Sequence, residues 1–193
     1  MIIHTDIEQG TYDWHLLRKN FITSSMVARL LGKTTFQSEV SNIIGRRLSE
    51  EPDAPSFVSA AMERGTELEP VARLEYEMET GNEVTQVGFV SKDDYSGLSP
   101  DGLVGEVGAI EIIVPNTGNH IHSIRTDSIA PAKRWQIAHY FFCMPIEWLD
   151  FVSFDDRIER RLFIKRILRE DVQDDIDRIG EVVEKAIEEI KSF

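Results

Sequence analysis

The chain has 193 residues, 41% of them hydrophobic, enough to bury a core without disulfide or metal staples, and its one cysteine, Cys143, excludes a disulfide framework. No apolar run approaches membrane-spanning length, and the opening Met1-Ile2-Ile3-His4-Thr5-Asp6 has neither the charged nor the apolar region of a signal peptide, so cytoplasmic residence is expected. A net charge of −13 argues against the uniformly basic surface that nucleic-acid-binding proteins usually carry. In chain order, residues 11–19 predict a helix, and Thr23 or Ser24 caps a second one through Leu31 that Gly32 stops. Residues 38–48 predict a third helix, and 52–55 a loop. Residues 57–80 are helical in period (Phe57, Ala61, Leu68, Ala72, Leu74) and stopped by Gly81, with Pro70 expected to kink or split the helix. Strands are predicted over 83–91, 102–104 and 109–114, a helix over 132–143, and strands over 149–154 and 161–164. A last helix places Val172, Ile176, Ile179, Val183, Ile187 and Ile190 on one stripe with acids opposite. Helices, a cluster of strands, then strand and helix again make an α/β arrangement, read as one domain over 1–193.

The charge is unevenly spread. Residues 170–193 hold nine acids against three bases, and that acidic helix face is most simply a solvated one. Residues 18–47 instead hold Arg18, Lys19, Arg29, Lys33, Arg46 and Arg47 against the single acid Glu39. A locally basic lobe can meet phosphates on an acidic molecule, because ordinary salt screens fields beyond roughly 10 Å. A solvated helical face is the alternative. Cys143 lies in the apolar run Tyr140-Phe141-Phe142-Cys143-Met144 and reads as a core residue rather than a nucleophile. His4, His15, His120, His122 and His139 show no ligand spacing tied to an acid and read as structural.

The chemistry concentrates in two short stretches. Residues 109–114 are apolar except for Glu111 and are bounded by Gly108 and Pro115, the pattern of a buried strand. An ionised glutamate there is costly unless paired. Asp101, ahead of the turn 102–108, can lie beside Glu111 if the two segments form a hairpin. Two convergent carboxylates with no Lys or Arg nearby suit a divalent cation, and oxygen ligands favour Mg²⁺. The other reading is a loop aspartate and a glutamate satisfied by some distant arginine.

Pro100-Asp101 followed by Glu111-Ile112-Ile113 resembles the signature of the PD-(D/E)xK nucleases, with Ile113 where that signature has lysine. Further blocks resemble the lambda exonuclease or YqaJ-type viral recombinase family within that group. They are Trp14-His15-Leu16-Leu17-Arg18 with Ile22-Thr23-Ser24-Ser25, Arg64-Gly65-Thr66-Glu67-Leu68-Glu69-Pro70, Ser99-Pro100-Asp101-Gly102-Leu103, and Trp135-Gln136-Ile137-Ala138-His139. The blocks run in order from about residue 14 to about residue 154. Ala138 departs from the second glutamine that relatives often carry.

The resemblance implies a restriction-endonuclease-like core, a central mixed β-sheet flanked by helices. It implies a 5′-to-3′ exonuclease on ends of linear double-stranded DNA in phage-type recombination, in the cytoplasm of a bacterial host. A homotrimer and a single-strand annealing protein as partner are further implications. Asp101, Glu111 and the backbone carbonyl of Ile112 would bind Mg²⁺, with Mn²⁺ as a substitute, and Glu69 would be a ligand or position water. Gln136 matches the family glutamine, while Arg18 and Ser25 would hold a DNA phosphate. Strand alternation puts position 113 on the same face as Glu111, so Ile113 offers neither donor nor charge where the family has lysine. Loss of such a group typically costs about 10²–10⁴ in rate. Three explanations are open: an engineered substitution, the favoured one; a natural chain in which Lys133 or Lys92 moves in; or a relative that binds DNA ends without cutting. An interaction protein built on the acidic C-terminal helix is a further alternative and predicts no metal binding.

Overall fold

The computed structural model describes residues 1–52 and 59–193, so most of the expected 52–55 loop, and Phe57, lie outside the described residues. Four helices come early: α1 (Tyr12–Arg18), α2 (Ser24–Leu31), α3 (Phe36–Leu48) and α4 (Ala60–Thr80). Thr11 caps α1 by accepting the Trp14 N–H, and Ser59 caps α4 by accepting that of Met62. Thr23 and Gly32 flank α2 as expected. α4 runs unbroken through Pro70 and ends at Gly81, whose φ of 71° is in the left-handed region that glycine reaches without strain. Pro70 does not split the helix. Both it and Thr66, the residue whose carbonyl its ring leaves without a donor, are exposed, so water can serve that carbonyl.

The strands form two sheets. One has the order β1-β3-β4, from β1 (Ile2–His4), β3 (Phe89–Ser91) and β4 (Gly97–Leu98). The other has the order β2-β5-β6-β7-β8, from β2 (Val84–Thr85), β5 (Gly102–Val104), β6 (Gly108–Ile113), β7 (Trp148–Phe154) and β8 (Leu162–Leu168). β6 and β7 are parallel and their other neighbours antiparallel, which makes the larger sheet mixed. The strand expected over 83–91 is therefore two strands in different sheets, because β3 pairs with β1, which the sequence did not announce. α5 (Thr117–Thr126), α6 (Arg134–Cys143) and α7 (Gln173–Ser192) complete the chain. The helix expected from residue 132 opens as a short 3₁₀ turn, Pro131–Lys133, before α6.

Side-chain alternation along the central strands sorts the two faces. Ile110, Ile112, Val152 and Phe154 pack with Ala72 and Tyr76 of α4. Ala109, Leu149, Phe151, Phe163 and Ile167 pack on the other face with Ile137, Tyr140 and Phe141 of α6 and Ile176 of α7. A third cluster joins Val27, Leu30, Val40 and Ile43 to Ile179, Val183 and Ala186 of α7, of which Ile179 and Val183 belong to the stripe foreseen in the sequence. This is the expected α/β architecture, a central mixed sheet between helices.

One polar network pins α4 to the sheet. Asp150, fully buried on β7, accepts from Tyr76 Oη at 2.8 Å and from Arg166 Nε and Nη2 at 2.8 and 2.7 Å. Burial, with Asp150 second, pushes the Tyr76 hydroxyl up to about 12, so it remains a donor. Asp150→Ala should strand that buried hydroxyl, whereas Arg166, half exposed, finds water. The expected cost is about 2–3 kcal/mol, or a fall in Tm of about 5–10 °C by differential scanning calorimetry.

Candidate active site

The β5–β6 hairpin brings the two motif carboxylates together. Gly102 faces Ile110 across the hairpin, and Asp101, one residue before β5, accepts the backbone N–H of Ile112 through Oδ2 at 2.6 Å. Glycine at 102 makes room for the close approach of Val84, since a Cβ there would meet Val84 Cγ1 at 2.2 Å and force that side chain to move. Glu111, only 3% exposed, points to the α6 face. Its Oε1 accepts from Gln136 Nε2 at 2.6 Å and Lys133 Nζ at 3.0 Å, and its Oε2 accepts from Tyr140 Oη at 2.8 Å. The expectation that no Lys or Arg stands near the pair is thus corrected: Lys133 reaches Glu111 from the turn before α6. Lys92, the other lysine considered, lies over the Phe142 ring and beside Asp93.

Glu69 on α4 joins from the other side. Its Oε1 accepts from Arg73 Nη2, and Arg73 Nε donates to the Asp101 carbonyl at 3.2 Å. Burial and neighbouring charge raise two of these carboxyls. Burial first, then Glu111 and Glu69, raise the Asp101 carboxyl well above the usual range. Burial first also raises Glu69, against the pull of Arg73 and with a push from Glu111. Asp101 and Glu69 open onto a cleft of about 670 Å³, walled also by Trp14, Arg73 and the loop Thr5 to Gly10.

These groups suit a hard divalent cation in donor type. Asp101 and Glu111 supply anionic oxygens, and the charge of Glu111 acting on the buried Asp101 carboxyl is what a bound cation would offset. Among the described residues no group of three or more His, Cys, Asp or Glu side chains is placed to hold a metal ion. Burial first, then Glu111 and Asp101, push the Tyr140 hydroxyl well above its ordinary value, so it stays a donor that fixes Glu111. Tyr140→Phe should keep the fold and weaken Mn²⁺ binding about 10–100-fold in a calorimetric titration, as losing an outer-shell partner typically does.

Ile113 packs half-buried against the core cluster that contains Ile137 and Tyr140. Arg18 stacks over the Trp14 ring at 4.7 Å, and burial, then Arg46, lowers its pKa. Its Nε is buried without a hydrogen-bond partner among the described residues. Ser25 is exposed in the first turn of α2 and shares a cleft of about 550 Å³ with Arg29 and Arg46. Part of the basic lobe is committed internally: Arg29 pairs with Glu39, and Arg47 and Lys19 donate to the Asn20 and Ser49 carbonyls. Cys143 and His139 are buried core groups, with burial holding His139 down to about 3 and the thiol well up. Sequence reasoning missed Tyr140 and Arg73. Tyr140 had a legible signal, since positions 133, 136 and 140 share one helical face.

A model of the YqaJ-like viral recombinase domain matches residues 13–144, more than half of the chain. The chain belongs to the YqaJ-like viral recombinase family. The alkaline exonuclease LHK-Exo from Laribacter hongkongensis is 36% identical, with a TM-score of 0.80 over 94% of this chain and 95% of that one, and its structure is also known in complex with dAMP. A phage-related exonuclease from Haemophilus somnus 129PT shares the fold, with a TM-score of 0.65 at 15% identity over 89% of this chain and 95% of that one. No curated protein is significantly similar in sequence. No helix among the described residues of this YqaJ-like chain is long and apolar enough to cross a membrane.

Proposed function

We propose that this YqaJ-like chain is a single nuclease domain acting as a Mg²⁺-dependent 5′-to-3′ exonuclease on linear double-stranded DNA in phage-type recombination. The observation that carries the reading is the hairpin pair Asp101 and Glu111, held at one place by Ile112, Tyr140 and Gln136. Family membership and the likeness to LHK-Exo support a nuclease acting on DNA. Asp101, Glu111 and the Ile112 carbonyl would hold the metal, Mg²⁺ or Mn²⁺, which when bound supplies a polarised phosphate and an activated water. Tyr140 and Gln136 fix the Glu111 carboxylate, and Arg73 fixes both Glu69, which would position water, and the Asp101 carbonyl. Arg18, with its unpartnered buried Nε, and Ser25 on the first turn of α2 would hold a DNA phosphate. The complex works as a homotrimer with a single-strand annealing protein as partner, in the cytoplasm of a bacterial host. A ring would focus few basic residues into one channel.

The test is a linear duplex labelled at the 5′ or the 3′ end. Mg²⁺ should release 5′-labelled mononucleotide early and the 3′ label late, EDTA should stop both, and light scattering should give three times the 22.1 kDa chain mass. Ile113, which would leave an exonuclease impaired or inactive, also favours a second reading, a non-catalytic DNA-end-binding protein on the same scaffold. End binding with no cutting by this chain or by its Ile113→Lys counterpart, under any divalent metal, would establish that reading instead.

A further inference from the structure

Position 113 has been absorbed into the core, yet an ammonium stands beside Glu111 all the same. Lys133 Nζ lies 3.0 Å from Glu111 Oε1 and 2.8 Å from Gln136 Oε1, so the glutamine accepts from the amine while it donates to the carboxylate. The turn Pro131–Lys133 sets this geometry by delivering the side chain at the start of α6, three residues before Gln136 and seven before Tyr140. Two features set Lys133 apart from a plain counter-ion. Glu111 already has a donor on each oxygen without it, from Gln136 and Tyr140. And the Lys133 side chain is 30% exposed where Glu111 is 4%, so the amine stands at the edge of the site rather than sealed within it.

We infer that Lys133 supplies the cationic group of the reaction that Ile113 cannot, reaching the same carboxylate from α6 rather than from β6. The inference rests on the nuclease reading above and makes this chain active as it stands. With a divalent cation held at Glu111 the ammonium would no longer be needed there, and its flexible stem would let it turn to a phosphoryl oxygen and the attacking water. In the hydrolysis a P–O bond forms to the water oxygen as the P–O3′ bond breaks, the water proton passes to solvent, and O3′ takes a proton from solvent. Lys133 keeps its protons throughout. Its work is to hold the water and to offset the charge that builds on the phosphoryl oxygens.

The experiment compares four chains, wild type, Lys133→Met, Ile113→Lys and the double variant, by single-turnover cleavage of a 5′-phosphorylated duplex and by Mn²⁺ titration calorimetry without DNA. Wild type should cut, and Lys133→Met should cut about 10²–10⁴-fold more slowly. Lys133→Met should also bind Mn²⁺ at least as tightly as wild type, because a competing cation is gone. The double variant, with a lysine back on β6, should recover cleavage. Undiminished cleavage by Lys133→Met overturns the inference. So does a parallel loss of cleavage and Mn²⁺ affinity that the double variant fails to repair, the mark of a structural counter-ion. An inert wild type beside an active Ile113→Lys chain overturns it while leaving the nuclease reading in place. Inert chains throughout, folded and metal-binding, end both.

Discussion

Asp101→Asn is expected to lower DNA cleavage by about 10³-fold or more and, in the same protein, to raise the Tm of the metal-free state. Metal polarisation contributes several kcal/mol to such a reaction, and each step of about 1.4 kcal/mol is a decade in rate. The stability gain follows from the geometry. An Asn oxygen still accepts the Ile112 N–H, while its NH₂ replaces a carboxylate oxygen repelled by Glu111 and Glu69. The effect has a definite pH signature. The folded-state pKa of Asp101 lies well above the unfolded value, so below the ordinary aspartate range both states are protonated and there is no penalty. As pH rises through the raised folded value the carboxylate must ionise in place, and stability is lost. Metal-free wild type should therefore lose stability from mildly acidic pH upward by more than Asp101→Asn does, read by urea melts across that range. Equal slopes would show that Asp101 is not strained in the folded state.

Glu111→Gln should abolish metal-induced stabilisation and cleavage together while leaving the fold. In wild type, a divalent cation at a hundred times its Kd stabilises by about 2.7 kcal/mol, which for a chain of this size is about 5–10 °C in Tm. The variant should show none of it. The amide keeps most of the existing partners: its oxygen accepts from Gln136 and Lys133, and its nitrogen can donate to the Tyr140 oxygen, at the cost of the acceptor that the Tyr140 O–H had in Glu111. Lys133 loses its counter-charge, but it reaches solvent, so the cost falls well below the roughly 3–5 kcal/mol of stranding a fully buried ion. A large loss of metal-free stability with no metal effect in either protein would make Glu111 a structural acid instead.

Legibility followed periodicity and side-chain chemistry. The α7 stripe was readable because burial of one helix face imposes a 3.6-residue period on apolar residues, and β6 because a fully buried strand is a continuous apolar run, in which Glu111 stood out as the lone charge. The hairpin partner Asp101 was readable from the turn between them. α5 was not, since the residues it buries are the polar His120 and Ser123, with His120 held by Ser153 and the Arg160 carbonyl, rather than an apolar face. β1 and β4 are too short to show a period, and their pairing with β3 is what divided the strand expected over 83–91. At the site, sequence showed a missing lysine at 113 but could not choose between Lys133 and Lys92, because only the fold decides which lies against Glu111. The preference for an engineered substitution drew on the motif alone. Lys133 beside Glu111 is the group a natural chain would draw on under the inference above.

The central claim, that the β5–β6 hairpin is a divalent-metal site, is tested most directly by titrating Mn²⁺ into the wild-type chain and Glu111→Gln at neutral pH in a calorimeter. Saturable binding in wild type that disappears in the variant is the predicted result. Identical heats in the two proteins, or none in either, would contradict it.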